Sequence, residues 1–305
     1  MAEFTMLIGL PGSGKSKMAE ALKARGNLSG RDVVVISSDE IRRELYGDAT
    51  IQDNPEMIFR EMHRRTKEAL LLGKDVVYDA TNIARKHRMH TVRALPICKK
   101  TAIVVWARFG DCVNRDLERG RTVGEYVIKR MVRHFQIPYY DEGWDAIKIT
   151  PTSPLYTSAD YAGWMDCEHD NPHHKNTVKE HTDKVVSEVA SIDYEDIPKG
   201  NGMNLVLAAQ LHDIGKKFTK RFANSKGEKT DIAHYYDHHN VGAYFCLGYE
   251  PLSSTNDGVV NKLLVAWLVN NHMEPFFNSK YYKSLVGCTE RKLLDLLHQC
   301  DVRGA

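Results

Sequence analysis

The sequence contains no C-x-x-C pair: its six cysteines, at 98, 112, 167, 246, 288 and 300, are scattered along 305 residues. That spacing speaks against a zinc knuckle and a disulfide framework. It fits the reduced thiols of a cytosol, so a cytoplasmic location is expected. No apolar run approaches the ~18 residues that a bilayer-spanning helix requires, so no membrane is expected as a partner. The opening MAEFTMLIGL lacks a basic n-region and a small-residue cleavage site, and reads as a first β-strand rather than a secretion signal. Internal repeats and low-complexity tracts are also missing. So is a net charge of any size, since 42 Lys/Arg stand against 40 Asp/Glu, leaving +2.

The balance hides an asymmetry. Residues 1–150 carry 26 Lys/Arg against 20 Asp/Glu (+6), and residues 151–305 carry 16 against 20 (−4). Four histidines fall in the first half and ten in the second. A basic half suits a polyanionic substrate, and an acidic, histidine-rich half suits metal.

The first half alternates short β-branched runs (4–10, 32–38, 74–80 and 101–108) with helical patterns around 15–25, 55–72 and 85–95. Apolar runs of this length between helices predict a parallel sheet covered on both faces. The stretch 149–164, with two prolines and several Ser/Thr, breaks the rhythm and reads as a joint. Beyond it the patterns are helical, over 177–191, 205–214, 259–270 and 290–302, with no convincing strand. The expectation is an α/β domain over 1–150, a linker over 151–165 and an all-α domain over 166–305.

Gly9, Leu10, Pro11, Gly12, Ser13, Gly14, Lys15 and Ser16 match G-x-x-x-x-G-K-[ST] directly after the first predicted strand. Glycines let the backbone wrap a phosphate with its N–H groups at the positive end of the next helix. In that pattern Lys15 reaches the β- and γ-phosphates of ATP and Ser16 holds Mg²⁺. Phosphoryl transfer also needs a base for the acceptor and cations for the charge that builds up. Asp39 ends the second strand, where open α/β sheets place their ligands, with Arg42 and Arg43 one turn along. Asp39 equally suits a helix cap. Arg115, Arg119 and Arg121 follow the fourth strand; 115 and 119 are four apart and on one helix would share a face, as a lid over ATP or as a solvated basic helix.

GLPGSGKS, SSDEIRRELYG, DATN and NRDLERG follow in the order found in polynucleotide 5′-hydroxyl kinases of the phage end-healing type, which residues 4–148 resemble. The resemblance implies Asp39 as base, Arg42 as substrate-phosphate ligand, Arg115 and Arg119 as lid arginines, and Thr81-Asn82 as a substrate-side contact. Of these motifs only the phosphate loop is highly specific.

The second half carries His181, His212-Asp213, His238-His239, His272 and Asp301. Imidazoles and carboxylates are the usual ligands of Mn, Fe, Co, Ni or Zn in hydrolytic sites, and a carboxylate can bridge two ions. VKEHT, LAAQLHDIGK, DHHNVGA, NNHMEPF and CDVRGA closely resemble the HD phosphohydrolase superfamily, an all-helical group. Carried over by motif, one ion takes His181, His212, Asp213 and Asp301, and a second takes Asp213, His238 and His272. The family pattern H-x-x-x-G-A selects His238 over His239, because Gly242-Ala243 sets the count. His173, His174 and His234 stay peripheral or phosphate-facing. Lys216, three residues past the His-Asp pair, is a candidate ligand of the substrate phosphate or a solvated helix end.

Phage-type end-healing enzymes join their kinase to a phosphatase with a D-x-D-G-T nucleophile, which this sequence lacks. An HD module in its place implies removal of a 2′-, 3′- or 2′,3′-cyclic phosphate. The expected partners are therefore ATP and nucleic-acid ends, RNA ahead of DNA, with Mg²⁺ and one or two transition-metal ions as cofactors. Two other readings stay open: a nucleoside or small-metabolite kinase fused to a nucleotide phosphohydrolase, and an ATP-gated nucleic-acid-binding module.

Overall fold

The computed structural model describes residues 1–51, 53–119, 122–171, 176–252 and 260–305. Packing divides the chain into two units, Met1–Met131 with Pro138–Pro154, and Val132–Ile137 with Leu155–Ala305.

The first unit opens with β1 (Glu3–Ile8), α1 (Lys15–Leu28), β2 (Val33–Ser37), α2 (Ser38–Tyr46) and α3 (Pro55–Leu71). It continues through β3 (Asp75–Asp79), α4 (Arg85–Ala94), β4 (Lys99–Trp106), α5 (Phe109–Leu117), α6 (Glu125–Arg133, whose last two residues count with the second unit) and β5 (Ala146–Pro151). All five strands are parallel, in the order β2-β3-β1-β4-β5. Leu7, Val33, Val77, Ile103 and Val105 pack with Ala19 of α1 into one cluster. Burial of each large apolar side chain stabilises the unit by about 1.5–3 kcal/mol. The strand order reverses at β1, and the phosphate loop leaves the carboxyl end of that strand, where doubly wound sheets bind ligands. The sequence reading has no counterpart for β5. Its residues are half-buried or exposed, as an edge strand allows, and Pro151 ends it, so no continuous apolar run marks it.

The second unit comprises α7 (Ser158–Met165), α8 (Val178–Ala190), α9 (Gly202–Leu211), α10 (Lys216–Thr219), β6 (Arg221–Ala223), β7 (Lys229–His234) and α11 (His238–Cys246). It ends with α12 (Lys262–Asn271), α13 (Glu274–Phe277), α14 (Lys280–Ser284) and α15 (Thr289–Gly304). Val185, Leu205, Leu268, Leu293 and Leu297, from α8, α9, α12 and α15, are fully buried. Asn240 and Asn270 fix the strip 132–137 within this unit: Asn240 Nδ2 donates to the Arg133 carbonyl (2.6 Å) and Ile137 N donates to Asn270 Oδ1 (2.9 Å).

Two expectations are corrected here. The second unit is not all-α, because β6 and β7 form an antiparallel hairpin. Its strands, RFA and KTDIAH, are short and largely polar, and its turn is closed by Asn224, whose side chain accepts from Lys226 N and Glu228 N, so no apolar alternation announces it. The stretch 149–164 is also not a plain linker. It holds the end of β5 and α7, whose Thr157 and Asp160 form a capping box, so the Ser/Thr signal marks a helix start.

Candidate active sites

Gly12 and Gly14 adopt positive φ (77° and 95°), the backbone form that makes the phosphate loop curl. A Cβ on Gly12 would lie 2.2 Å from the Cys112 carbonyl oxygen, so only glycine fits. Gly9 N donates to the Thr81 carbonyl (3.0 Å), and Ser13 N donates to that of Leu10 (3.1 Å) across Pro11-Gly12. Lys15 Nζ donates to the Leu10 carbonyl (2.7 Å). Burial lowers its ammonium to about 8, with Asp79 acting against the shift. Ser16 Oγ donates to Asp79 Oδ2 (3.1 Å). Burial raises the Asp79 carboxyl, with Lys15 and Ser16 opposing. The sequence reading missed Asp79, a carboxylate at the end of β3 beside the Mg²⁺-ligand candidate Ser16. An acid closing a β-branched run in the strand next to β1 is the signal that points to it.

Asp39 does not cap α2. Ser37 does, its Oγ accepting from Asp39 N (3.3 Å), which leaves the carboxylate of Asp39 for Arg42 Nη1 at 3.4 Å. Arg42 is buried, and Asp39 is near enough to Lys15 and Asp79 to act on both charges. Arg43 is exposed and pairs with Glu40 at 2.5 Å.

The shared helical face for Arg115 and Arg119 is a second reading corrected by the structure. α5 ends at Leu117, because the Asp116 carboxylate accepts from Val123 N (2.7 Å) and Gly124 N (2.9 Å) beyond it. Arg115 instead braces the phosphate loop, donating to the Gly12 carbonyl (3.3 Å) and the Thr152 carbonyl (2.7 Å). Arg119 lies beyond the helix, where its charge acts on Lys15 and Asp79. Arg121 lies outside the described residues.

Asn82 takes a left-handed φ of 50° and ties the loop after β3 to β1 through Nδ2 and the Leu7 carbonyl (2.7 Å). Arg88 holds the same loop by donating to the carbonyls of Asn82 (3.1 Å) and Ile83 (2.9 Å), while its other nitrogens grip Glu142 (2.6 and 2.8 Å). Asn82 also lines a cavity of about 550 Å³ with Phe59, Arg60, His63, Lys86 and His87. Thr81, next to it, supplies the carbonyl already bonded to Gly9.

In the second unit, ligand atoms of His181, His212 and Asp213 lie within 4.8 Å of one another, as do those of Asp213, His238 and His272. Three of these imidazoles sit at helix ends: His212 caps α9, His238 begins α11 and His272 caps α12. Each turns Nδ1 to the carbonyl three residues back, Ala209 (2.7 Å), Tyr235 (2.9 Å) and Val269 (2.8 Å). His181, on α8, turns Nδ1 to the Gly304 carbonyl (3.2 Å). A carbonyl only accepts, so these nitrogens carry the protons and the Nε2 lone pairs converge. His181 and His212 face each other at 3.3 Å, and His238 and His272 at 3.0 Å. Lone pairs at that separation repel unless a cation sits among them.

The carboxylates ask for the same cation. Asp213 Oδ2 lies 3.2 Å from His212 Nε2 and 3.6 Å from His181 Nε2, while Oδ1 lies 3.4 Å from His238 Nε2, so one carboxylate spans both groups. Asp301 Oδ1 reaches His181 at 3.0 Å and His212 at 3.6 Å. Burial opposes charge on His212, yet Asp213 and Asp301 raise it to about 10. Burial holds His238 far below an ordinary imidazole and lowers His272 to about 4, with neighbouring histidines adding to both shifts. The two carboxylates thus draw a cation to the His212 side, a place a divalent transition metal suits once it displaces the proton, while His238 and His272 are held neutral as ligands.

Lys216 is buried, not a solvated helix end, and pairs with Asp213 Oδ2 at 2.6 Å. It also reaches His169 Nε2 at 3.1 Å. His169, fully buried, is a residue the sequence reading did not single out, since no family motif contains it. His239 stands outside both groups and His234 stacks on Tyr236. His173 and His174 lie outside the described residues.

A family model described as an AAA domain matches residues 4–138. The L-seryl-tRNA(Sec) kinase of Methanococcus maripaludis is 27% identical over 153 residues, which are 48% of this chain and 57% of that protein. The chain thus spans just over half the length of this relative. Similar solved structures include the Pnkp1/Rnl/Hen1 complex, at 20% identity, covering 47% of this chain and 43% of that one, with a TM-score of 0.34. A gluconokinase from Sinorhizobium meliloti matches at 15% identity, covering 49% and 82%, with a TM-score of 0.34. No helix among the described residues is long and apolar enough to cross a membrane. With its phosphate loop, its Ser16–Asp79 pair and the AAA-domain match, the first unit is a domain of the P-loop kinase type.

Proposed function

We propose that the chain is a bifunctional nucleic-acid end-healing enzyme. The first unit phosphorylates polynucleotide 5′-OH ends with ATP, and the second removes a 2′-, 3′- or 2′,3′-cyclic phosphate. The observation that carries this reading is the presence, in one chain, of a phosphate loop facing a candidate base and a cluster of four imidazoles spanned by one carboxylate.

In the first unit Asp39 accepts the proton of the 5′-OH as its oxygen attacks the γ-phosphorus and ADP leaves. Lys15, with Arg119 nearby, meets the charge spreading over the phosphoryl oxygens, and Arg115 holds the loop that positions them. Ser16 and Asp79 would hold Mg²⁺, which would neutralise negative charge on the phosphates of ATP. Arg42 and the cavity beside Asn82 are the acceptor side, where Phe59 and His87 offer rings and Arg60 and Lys86 offer charge.

In the second unit His181, His212, Asp301 and Asp213 Oδ2 would hold one divalent ion (Mn, Fe, Co, Ni or Zn), and Asp213 Oδ1, His238 and His272 a second. When bound, such ions polarise a phosphoryl group and lower the pKa of water. Lys216 fixes the shared carboxylate and adds positive charge for the substrate phosphate.

One assay tests both halves: oligonucleotides of RNA and DNA with 5′-OH and 3′-phosphate ends, incubated with ATP, Mg²⁺ and Mn²⁺, with both product ends resolved. Label gained at the 5′ end and phosphate lost at the 3′ end supports end healing. Asp39→Ala should then remove only the first activity, and His212→Ala with Asp213→Ala only the second. A cavity of about 550 Å³ also accommodates a single nucleoside. A free nucleoside that outcompetes the oligonucleotide as acceptor would replace this reading with a small-molecule kinase.

A further inference from the structure

The β6–β7 hairpin has no part in the two sites, yet its chain position ties it to one of them. The chain leaves the second unit's cluster at Asp213 and Lys216, runs through α10 and out along β6, and returns along β7 to His238. Both stems are fixed at the cluster. Lys216 bonds Asp213 and His169 at one end. At the other, the Tyr235 carbonyl accepts from His238 Nδ1 (2.9 Å) and the Tyr235 hydroxyl donates to the His169 carbonyl.

The hairpin also reverses the charge of its surroundings. Residues 217–234 carry five Lys/Arg against two Asp/Glu, whereas residues 151–305 carry 16 against 20. Lys226 and Lys229 are exposed at the outer end, and the one acid in the turn, Glu228, takes a bond from Asn224 Nδ2 (2.6 Å). Asp231 is the other acid, also exposed. Nearer the cluster, the Arg221 guanidinium lies 4.5 Å from the centre of the Tyr236 ring, and the His234 ring stacks on the same tyrosine at 12°. Phe222 is 48% exposed on β6. Alternating cations and flat rings are what single-stranded nucleic acid recognises, through phosphate contacts and base stacking.

We propose that the β6–β7 hairpin is the docking platform of the second unit for single-stranded nucleic acid. Lys226 and Lys229 meet backbone phosphates, Phe222 and the Arg221–Tyr236–His234 stack receive bases, and the strand's 3′ end is led to the His/Asp cluster. This rests on reading the cluster as acting on strand ends, and a binding measurement separates the two ideas because it needs no turnover.

The experiment is fluorescence anisotropy with the full chain and a short single strand carrying a 3′-phosphate, its 5′ end blocked by fluorescein, titrated at several salt concentrations. Lys226→Glu with Lys229→Glu should weaken binding about tenfold or more. The slope of log K against log salt should fall by about 1.4, two phosphate contacts at ~0.7 each. Phe222→Ala should weaken it by about fivefold or more through lost stacking. Melting curves check that both variants fold as the parent does. Parent-like affinity and salt slope in both variants would overturn the proposal. So would a result in which the charge-reversed variant loses binding to phosphatidylserine vesicles alone. Failure of any substrate to lose its 3′-phosphate would sink the hydrolase reading while leaving the binding result standing.

Discussion

Gly215 sits in the turn after His212-Asp213, with an ordinary helical backbone (φ −75°, ψ −14°), so alanine there meets no torsional objection. Its constraint is steric. A Cβ would lie 2.0 Å from the His238 carbonyl oxygen, 2.8 Å from Gly242 N and 2.9 Å from the His238 carbonyl carbon. All three are backbone atoms of α11, so no side chain can swing aside. Reaching the 3.0 Å below which real Cβ contacts essentially never fall requires the first turn of α11 to move by about 1 Å. That turn carries His238, whose Nε2 stands 3.4 Å from Asp213 Oδ1 and 3.0 Å from His272 Nε2. Metal sites tolerate about 0.2 Å in ligand position, so on the proposed two-ion reading the variant should lose the ion of Asp213–His238–His272 and keep that of His181–His212–Asp301. Overpacking against backbone costs about 1–3 kcal/mol, which at about 2–4 °C per kcal/mol lowers the melting temperature of this unit by about 2–12 °C. Gly215→Ala would be analysed by elemental mass spectrometry for bound metal and by calorimetry, with Gly110→Ala, whose Cβ meets nothing within 4 Å, as control. Parent metal content and parent melting in Gly215→Ala would refute the claim that this glycine sets the spacing of the site.

Further outcomes are expected elsewhere in the chain. Asp79→Asn should raise the Mg²⁺ concentration needed for ATP turnover by about 10–100-fold, since Asp79 backs Ser16; an unchanged Mg²⁺ titration would exclude it from the ion site. Arg88→Met strands the fully buried Glu142, which also accepts from Trp144 Nε1 (3.0 Å), and should cost about 3–5 kcal/mol in urea unfolding. Burial, with His90 nearby, lowers His63 below its usual 6.5, so the unfolded chain binds the proton first and stability should fall as pH drops through 6.5. His63→Asn should flatten that acid limb, and equal pH slopes in variant and parent would contradict the shift. Removing metal with a chelator should lower the melting of the second unit by several degrees, because ion binding contributes about 2.7 kcal/mol at a hundredfold excess over Kd; an unchanged thermogram would speak against a metal centre.

What was legible in the sequence followed the range over which each feature is determined. The phosphate loop is local: Gly12 and Gly14 declare its left-handed turns, and the β-branched runs on both sides declare the buried strands. The histidines were legible as a string because each has recognisable neighbours in the sequence. Their grouping into two sets around Asp213 could be named only through the family likeness, since it brings together segments 120 residues apart, as with His181 and Asp301. Asp79 was hidden because it reads as the last residue of a strand until Ser16 is seen to touch it. His169 belongs to no motif and acquires a role only through Lys216. The shared helical face of Arg115 and Arg119 does not hold for a local reason: a helical spacing of four does not continue past Leu117, where Asp116 ends the helix by turning to the next one.

The arrangement of the second cluster follows from one repeated device. An imidazole at the end of a helix can donate Nδ1–H to a carbonyl three residues back, one of the groups that a helix terminus leaves without a partner. His212 and His272 do this at the carboxyl ends of α9 and α12, and His238 does the same in the turn that starts α11. At α9 and α12 the bond meets a carbonyl of the last helical turn, at α11 it joins the His238 backbone N–H on the Tyr235 carbonyl, and in each case it fixes the tautomer and the ring plane, so that Nε2 is aimed in advance. Four such lone pairs and two carboxylates, aimed at one another inside a helical core, are unfavourable by themselves. Val185, Leu205, Leu268 and Leu297, fully buried on α8, α9, α12 and α15, fix the helices that carry them. On the proposed reading, a site pre-aimed in this way would take its ions without reorganising, as activating a water against a phosphate requires.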